Sequence, residues 1–454
     1  MKYSRPVHLG IGAALVVLVG CSAAYLAAIA FGGHGGAPGA QLDVPVDQAL
    51  IDRGAYVAIL SDCAACHSAP GGQPFAGGLA LVTPIGTVFA TNITPDPATG
   101  IGDFSYGQFE RAVRRGIAPG GQSLYPAMPY PSYARLSDTD TRALYAYFRY
   151  GVKAVAAPNK ASEIPWPLSL RWPLTYWRWM FAPTVQPAPE PAHADPELAR
   201  GAYLVQGPGH CGACHTPRGL AYEEEALTAK DGSTYLAGAV VGGVFASDLR
   251  GDASTGLGAW SEQQIVEFLE SGHNANSAAF SSMSEVVRDS TQFMSVTDLR
   301  AIARYLKSLP PAAHEAAFAY DAVEANKLAA LDVSTPGAID YMNNCSACHR
   351  SSGKGYEQTF PSLAGNPVVE ARNPVSVIDL ILVGATRPAT GTAPTDFTMP
   401  GFADRLTDRE ISNLATFVRS SWGNNAASVS AAEVAVVRRK IEAPGPALEA
   451  VNSQ

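Results

Sequence analysis

The stretch Cys63-Ala64-Ala65-Cys66-His67 decides the fold of this chain, because the same arrangement returns at residues 211–215 and 345–349. In each copy two cysteines stand three positions apart and a histidine follows the second. Residues at i and i+3 of a helical turn project from one side, so both thiols can bond one porphyrin while the imidazole reaches its iron. The spacing predicts three covalently bound c-type haems. The haem-bonding cysteines and the proximal histidines are then Cys63, Cys66, His67, Cys211, Cys214, His215, Cys345, Cys348 and His349.

Other cysteine chemistries fit this pattern less well. A single C-x-x-C-H unit can be half of a zinc site or a dithiol redox pair. A zinc site needs a second ligand pair nearby, yet these copies lie more than a hundred residues apart. A disulfide framework would not place a histidine after the second cysteine three times.

An internal repeat surrounds the three units. Arg53-Gly54-Ala55-Tyr56 and Arg200-Gly201-Ala202-Tyr203 precede the first two, and residues 337–341 form a looser third copy. Each copy ends in a helix that is predicted to open with a capping box and to carry one apolar stripe. We expect this stripe to pack on the helix that leads into the C-x-x-C-H unit. The predicted boxes are Ser137 with Asp140, Ser295 with Asp298, and Thr407 with Glu410, and the stripes are Leu144-Tyr147-Phe148, Ile302-Tyr305-Leu306 and Leu414-Phe417-Val418.

The repeat predicts an all-α fold: three tandem class I cytochrome c-like haem domains behind an N-terminal hydrophobic segment. At 454 residues and 47% hydrophobic composition, the chain is long enough for three cores. We expect the domains at residues 48–156, 196–312 and 334–425. A Pro/Trp-rich linker fills 157–195, and a tail at 426–454 holds one candidate helix around residues 431–441.

The first 31 residues are predicted to be a signal peptide or a membrane anchor. Lys2 and Arg5 precede 23 residues without formal charge, residues 9–31, which is long enough to cross a bilayer. Three outcomes are open: retention as an anchor, cleavage near residues 28–30, and lipidation at Cys21. Each places the bulk of the chain outside the cytoplasm. The net charge of −8, without any basic cluster, argues against a nucleic-acid partner.

The sixth iron ligand follows largely by elimination. Met128 is the only methionine of the first domain, and its only histidine is His67. In the third domain Met342 lies on the proximal side, which leaves Met399. The second domain holds four candidates, and counting from the shared Thr-Gly pairs favours Met283, with His273 next; the others are His210 and Met294.

Histidine and methionine ligation has a functional consequence. It fills both axial positions of each iron and raises the reduction potential, so these haems are expected to transfer electrons rather than bind oxygen or peroxide. The linker holds four of the six tryptophans: Trp166, Trp172, Trp177 and Trp179. It is predicted to be a strap across the haem domains, and such aromatics also suit a partner interface or a bilayer surface.

With these motifs, Met-Pro-Tyr-Pro-Ser-Tyr at residues 128–133 and Asp-Ser-Thr-Gln-Phe-Met at 289–294 complete a resemblance. The chain resembles the three-haem cytochrome c subunit of bacterial membrane-bound alcohol, gluconate, sorbitol and fructose dehydrogenases over nearly its whole length. The resemblance implies a flavin or quinoprotein dehydrogenase subunit as partner, with or without a small third subunit. It also implies ubiquinone as electron acceptor and a place on the periplasmic side of the membrane. The family's distal methionines map onto Met128, Met283 and Met399, whereas its C-terminal anchor has no counterpart here.

Two alternatives remain at this stage. The same relay can serve a molybdenum hydroxylase that acts on aldehydes or heterocycles. A catalytic haem protein such as a peroxidase would need one iron without its sixth ligand. The sequence shows no substrate-oxidising site of its own, so the chain is expected to be the electron-transfer subunit of an oxidoreductase complex.

Overall fold

The computed structural model describes residues 20, 42, 44–185, 195–313, 316–357 and 359–442. This part of the chain is mostly helical and gathers its apolar side chains into three clusters, one around each C-x-x-C-H unit. The predicted signal peptide or membrane anchor, residues 1–31, lies outside the described residues, apart from Gly20. Among the helices of the described residues, none is long and apolar enough to cross a membrane.

The first unit runs from a leading helix to a closing helix, with the C-x-x-C-H helix just after the former. A π-helical turn at Tyr147–Gly151 extends the closing helix. Its elements are α1 Gln48–Leu60, α2 Cys63–His67, β1 Ala80–Thr83, β2 Gly86–Phe89, α3 Tyr106–Arg115, α4 Tyr130–Tyr133 and α5 Asp138–Ala146.

The linker helix α6, Pro173–Phe181, separates this unit from the second, which repeats the same order of elements. The short helix α4 of the first unit, with four residues, is replaced in the second unit by α10, with eight. Its elements are α7 Pro196–Gln206, α8 Gly212–His215, β3 Ala239–Val241, β4 Val244–Ala246, α9 Glu262–Ser271, α10 Ser282–Asp289 and α11 Val296–Ser308.

The third unit adds one helix at each end. Leu328 on the first helix and Val434 and Val437 on the last belong to its apolar cluster, so this core extends on both sides of the predicted range 334–425. The helix expected around residues 431–441 is confirmed. The elements are α12 Val323–Ala329, α13 Ala338–Asn344, α14 Ser346–His349, α15 Pro367–Glu370, α16 Val375–Val383, β5 Gly384–Thr386, β6 Thr398–Pro400, α17 Asp408–Ser420 and α18 Ala431–Glu442.

A glycine within the leading helix of the first two units, and at its N-cap in the third, sets how closely the closing helix approaches. A methyl group added to Gly54 would overlap the carbonyl oxygen of Ala143 and lie 2.6 Å from the Cβ of Tyr147. The matching groups in the other units are the Cβ of Tyr305, 2.7 Å from such a methyl on Gly201, and the Cβ of Phe417, 2.9 Å from one on Gly337. The predicted packing of the apolar stripes on the leading helices is therefore confirmed.

The prediction of three capping boxes is wrong for two of the closing helices. The serine or threonine accepts a backbone N–H in all three, but only Thr407 and Glu410 complete the reciprocal pair. In the second unit the N–H of Ser295 instead donates to the phenol oxygen of Tyr56, a residue of the first unit, at 2.9 Å. The corresponding N–H of Ser137 donates to the phenol oxygen of Tyr203 at 3.3 Å.

The freed carboxylates form two matching clasps between the first and second units. Asp298 accepts bonds of 2.8 Å from Arg200 of its own unit and from the Tyr56 hydroxyl of the first unit. Asp140 accepts a bond of 2.8 Å from Arg53 and one from the Tyr203 hydroxyl of the second unit. Three positions of the repeated Arg-Gly-Ala-Tyr sequence thus have the same structural role in both copies. The arginine binds within its unit, the glycine admits the closing helix, and the tyrosine joins the other unit.

The described residues also contain three two-stranded antiparallel sheets, which the all-α prediction did not include. The second joins β3 to β4 through Gly242 and Gly243, whose φ angles of 62° and 91° are those of a tight hairpin turn. The strand β4 also reaches the third unit, because the Ser376 hydroxyl on α16 donates to the carbonyl of Phe245 at 3.0 Å and accepts its N–H at 2.8 Å. This contact connects the second and third units.

The linker lies across the first unit and reaches the second. The Trp177 ring on α6 packs edge-on against Tyr130, and its indole N–H donates to the carbonyl of Ala221 in the second unit at 2.9 Å. Arg171 lies over the Tyr125 ring at 3.9 Å. The linker therefore covers the loop that carries Met128.

Candidate haem-binding sites

Each C-x-x-C-H unit forms a short helix directly after its leading helix. The short helices place the two cysteines of each unit on one turn, as the spacing predicts. All six of these thiols are free in the structure. They are thus available for thioether bonds to a porphyrin.

The histidine that ends each unit is held by the same kind of bond. The Nδ1 atom of His67 lies 2.7 Å from the carbonyl oxygen of Thr91, that of His215 lies 2.6 Å from Ser247, and that of His349 lies 3.0 Å from Pro361. A carbonyl can only accept, so Nδ1 carries the proton and Nε2 keeps its lone pair. This second bond is typical of histidines that ligate a metal, because it fixes the tautomer and the ring orientation.

Burial keeps the imidazoles and the thiols of these units uncharged. It lowers the pKa of His67, His215 and His349, so the imidazoles are neutral at pH 7. Burial also raises the pKa of Cys66 and Cys211 to about 12. The thiols stay uncharged in an apolar site, which suits a porphyrin face better than exposed thiolates would.

The predicted distal methionines of the first and third units pack on the same apolar clusters as a cysteine of their C-x-x-C-H unit. Met128 and Cys63 both pack against the apolar cluster of the first unit. Met399 and Cys345 both pack against the cluster of the third, where Met399 lies on β6. Each of these two clusters therefore brings a C-x-x-C-H unit and its candidate sixth ligand together. Met342 also packs on the third cluster, three positions before Cys345.

The four candidates of the second unit occupy different places. Met294 is buried in the apolar cluster, at the position directly before the helix cap. The same position holds Leu136 in the first unit and Leu406 in the third, both of which pack on their clusters, so Met294 is a core residue. Met283 is half-buried on α10. Because Met294 is a core residue, Met283 is the methionine of the second unit that is available as an iron ligand.

The two histidine candidates, His273 and His210, lie in different parts of the second unit. His273 is buried, directly follows the Gly272 that ends α9, and holds its Nδ1 atom 3.0 Å from the Ser271 hydroxyl. His210 lies at the boundary with the first unit, where its ring contacts Tyr133 edge-on with centroids 5.7 Å apart. Both imidazoles also contact a backbone carbonyl. The His273 Nδ1 atom lies 3.4 Å from the carbonyl oxygen of Ser271, and the His210 ring bonds to the backbone of Ser61, so these bonds do not separate them from the imidazoles of the C-x-x-C-H units.

The first two C-x-x-C-H units are neighbours in space. Helix α10, which carries Met283, packs on α2 of the first unit. Burial is the main cause that raises the pKa of Cys66, and the charges of Asp62, Glu285 and Cys214 add to it, so Cys214 of the second unit lies within electrostatic range of Cys66. The clasps described above hold this arrangement together.

Comparison with known proteins agrees with this geometry. Residues 334–422 match the family model described as cytochrome c. The chain is 50% identical to the cytochrome c subunit of alcohol dehydrogenase (quinone) from Gluconacetobacter polyoxogenes, over 86% of this chain and 85% of the relative. The chain belongs to the family of dehydrogenase cytochrome c subunits.

Two further members of that family extend the likeness. This cytochrome c subunit is 50% identical to the gluconate 2-dehydrogenase cytochrome c subunit of Pantoea cypripedii, over 87% of this chain and 91% of the relative. It is 39% identical to the fructose dehydrogenase cytochrome subunit of Gluconobacter japonicus, over 86% of this chain and 82% of the relative. The predicted resemblance is therefore confirmed, and the chain is a haem-binding electron-transfer subunit of a dehydrogenase complex.

Sequence reasoning missed the residues that orient the histidines. The accepting carbonyls belong to Thr91, Ser247 and Pro361, which lie 24, 32 and 12 positions from their histidines. Any residue can offer a backbone carbonyl, and the spacing differs in every unit, so no side-chain pattern marks them.

Proposed function

We propose that this subunit binds three c-type haems, one in each helical unit, and relays electrons from a periplasmic flavin- or quinoprotein alcohol or sugar dehydrogenase to membrane ubiquinone. The observation that carries the proposal is the threefold Nδ1-to-carbonyl bond. It presents a neutral Nε2 atom beside a pair of free thiols in every unit. Bound there, the haems would supply reversible one-electron chemistry.

The axial pairs we propose are His67 with Met128, His215 with Met283, and His349 with Met399. A thioether opposite an imidazole fills both axial positions, which favours electron transfer over the binding of oxygen or peroxide. One cysteine of each unit packs on its apolar cluster, so a haem bound there would lie against apolar side chains. Together these residues support a relay rather than a catalytic haem site.

The boundary between the first two units supports direct exchange between their haems. The contact of α10 with α2 and the closeness of Cys66 and Cys214 bring these two sites side by side. The third unit joins the second beside Ser247, whose carbonyl holds His215 and which follows the strand that contacts Ser376. The three sites thus form one connected series.

The test is a pull-down of the tagged full chain from solubilised membranes, with haem spectra recorded on the copurified complex. The expected result is a flavin or quinoprotein dehydrogenase whose substrate reduces all three haems, each with a low-spin spectrum. A copurified molybdenum enzyme would replace the proposed partner while keeping the relay. A high-spin haem that reacts with peroxide would refute the relay itself.

A further inference from the structure

A short aromatic surface on the linker stands out from the rest of the molecule. Its most exposed tryptophans are Trp166 and Trp179, which expose 80% and 81% of their surface. We define the linker surface as Trp166, Leu168, Leu170, Trp172, Trp179 and Met180, all of them exposed. Large apolar side chains seldom stand so fully in water without a partner when they are gathered in one segment.

The helix of this segment separates its contacts into two faces. Trp172, Tyr176, Trp179 and Met180 follow the spacing i, i+4, i+7 and i+8, so they share one face. Trp177 lies off this face and packs on Tyr130 of the first unit, and Thr175 at the edge of the face holds its hydroxyl 3.1 Å from that of Ser123. The outward aromatic face is therefore held in place by an inward face that is already occupied.

The charge of the segment is opposite to that of the chain. Residues 165–185 contain Arg171 and Arg178 and no acidic residue, whereas the whole chain carries a net charge of −8. The flanking residues 153–164 add Lys153 and Lys160 against a single acid, Glu163. Tryptophan, tyrosine and leucine interleaved with arginine and without acids are the composition of segments that lie in the interface of an anionic bilayer.

We propose that the linker surface docks on the anionic lipid surface of the membrane. The tryptophan rings insert among the headgroups, so the first unit rests on the bilayer with its Met128 loop behind the linker. This proposal concerns the linker surface alone. If it is wrong, the proposed electron relay still stands. Binding to a bilayer here needs no helix that spans the membrane.

The first test measures flotation of the full-length holo-chain with vesicles of phosphatidylcholine and phosphatidylglycerol. The triple variant Trp166→Ser, Trp179→Ser, Met180→Ser should bind at least tenfold more weakly than the wild type. The control variant Phe293→Ser, Leu331→Ser removes apolar groups that are 57% and 76% exposed on other units, and it should stay within twofold. Equal binding by wild type and triple variant would overturn the proposal.

The second test is independent of any other anchor in the chain. In the vesicle-reconstituted holo-chain, hydroxyl radicals should oxidise Trp166 and Trp179 at least fivefold more slowly, relative to Phe293, than in the lipid-free chain. Protection that appears only after the dehydrogenase subunit is added would make the surface a protein interface and refute bilayer docking. Unchanged dithionite-reduced haem spectra in both variants confirm that the haems remain bound.

Discussion

Replacement of Gly54 by alanine tests the helix crossing on which each unit depends. The new methyl group would overlap the Ala143 carbonyl and lie 2.6 Å from the Cβ of Tyr147, where carbon atoms ordinarily stay about 3.5 to 4.0 Å apart. Both neighbours are fixed to backbone, so the two helices must separate by about 1 Å. Overpacking of this kind costs about 3 kcal/mol, and the better helix propensity of alanine offsets about 1 kcal/mol. We expect a net loss of about 2 kcal/mol in the free energy of unfolding of the first unit.

The assay is hydrogen exchange with mass spectrometry on the holo-chain, read on peptides that cover residues 48–60 and 138–146. A loss of about 2 kcal/mol corresponds to exchange that is about 30-fold faster in the first unit. The matched control is Gly107→Ala on α3, where an added methyl group meets nothing within 4 Å. That variant should exchange at the wild-type rate or more slowly. If Gly54→Ala behaves like Gly107→Ala, the close crossing does not hold the unit together.

Three further outcomes follow from the clasps and from the choice of the second distal ligand. Tyr56→Phe removes the hydroxyl that binds Asp298 and caps the N–H of Ser295, so hydrogen exchange should report a loss of about 1 to 2 kcal/mol at the boundary between the first and second units. Burial opposes ionisation of Asp298, but the bonds from Arg200 and Tyr56 outweigh it and lower its pKa. Its contribution is therefore complete above about pH 4 and is lost as the pH falls through the lowered pKa, and Asp298→Asn should flatten this acid limb of the unfolding curve. Met283→Leu should convert one haem from methionine-ligated to high-spin in near-infrared magnetic circular dichroism, whereas Met294→Leu should leave the spectrum unchanged, and the reverse result would move the ligand to Met294.

The repeated elements could be predicted from the sequence, because the same local pattern occurs in each of the three units. The apolar stripes keep the same internal spacing in every copy, and the structure packs them alike against the glycines at 54, 201 and 337. The paired cysteines and their histidine are equally local, since one helical turn contains all three.

The parts that could not be predicted depend on distant partners. Asp140 and Asp298 satisfy the capping-box pattern, yet each binds an arginine and a tyrosine far away in sequence, and the tyrosine takes over the cap N–H. Helix propensity says nothing about which carbonyl will meet a histidine after the chain has turned back. The Gly242-Gly243 turn between valines was readable as a hairpin signal, but the helical repeat on either side obscured it.

The count of haems in one chain tests the central claim most directly. Intact-mass spectrometry of the mature holo-chain under denaturing conditions retains only covalently attached haem. The account predicts the mass of the polypeptide plus three haems, with haem-bearing peptides that contain Cys63 and Cys66, Cys211 and Cys214, and Cys345 and Cys348. A mass with two haems or fewer, or an unmodified C-x-x-C-H peptide from any of the three units, would contradict the account.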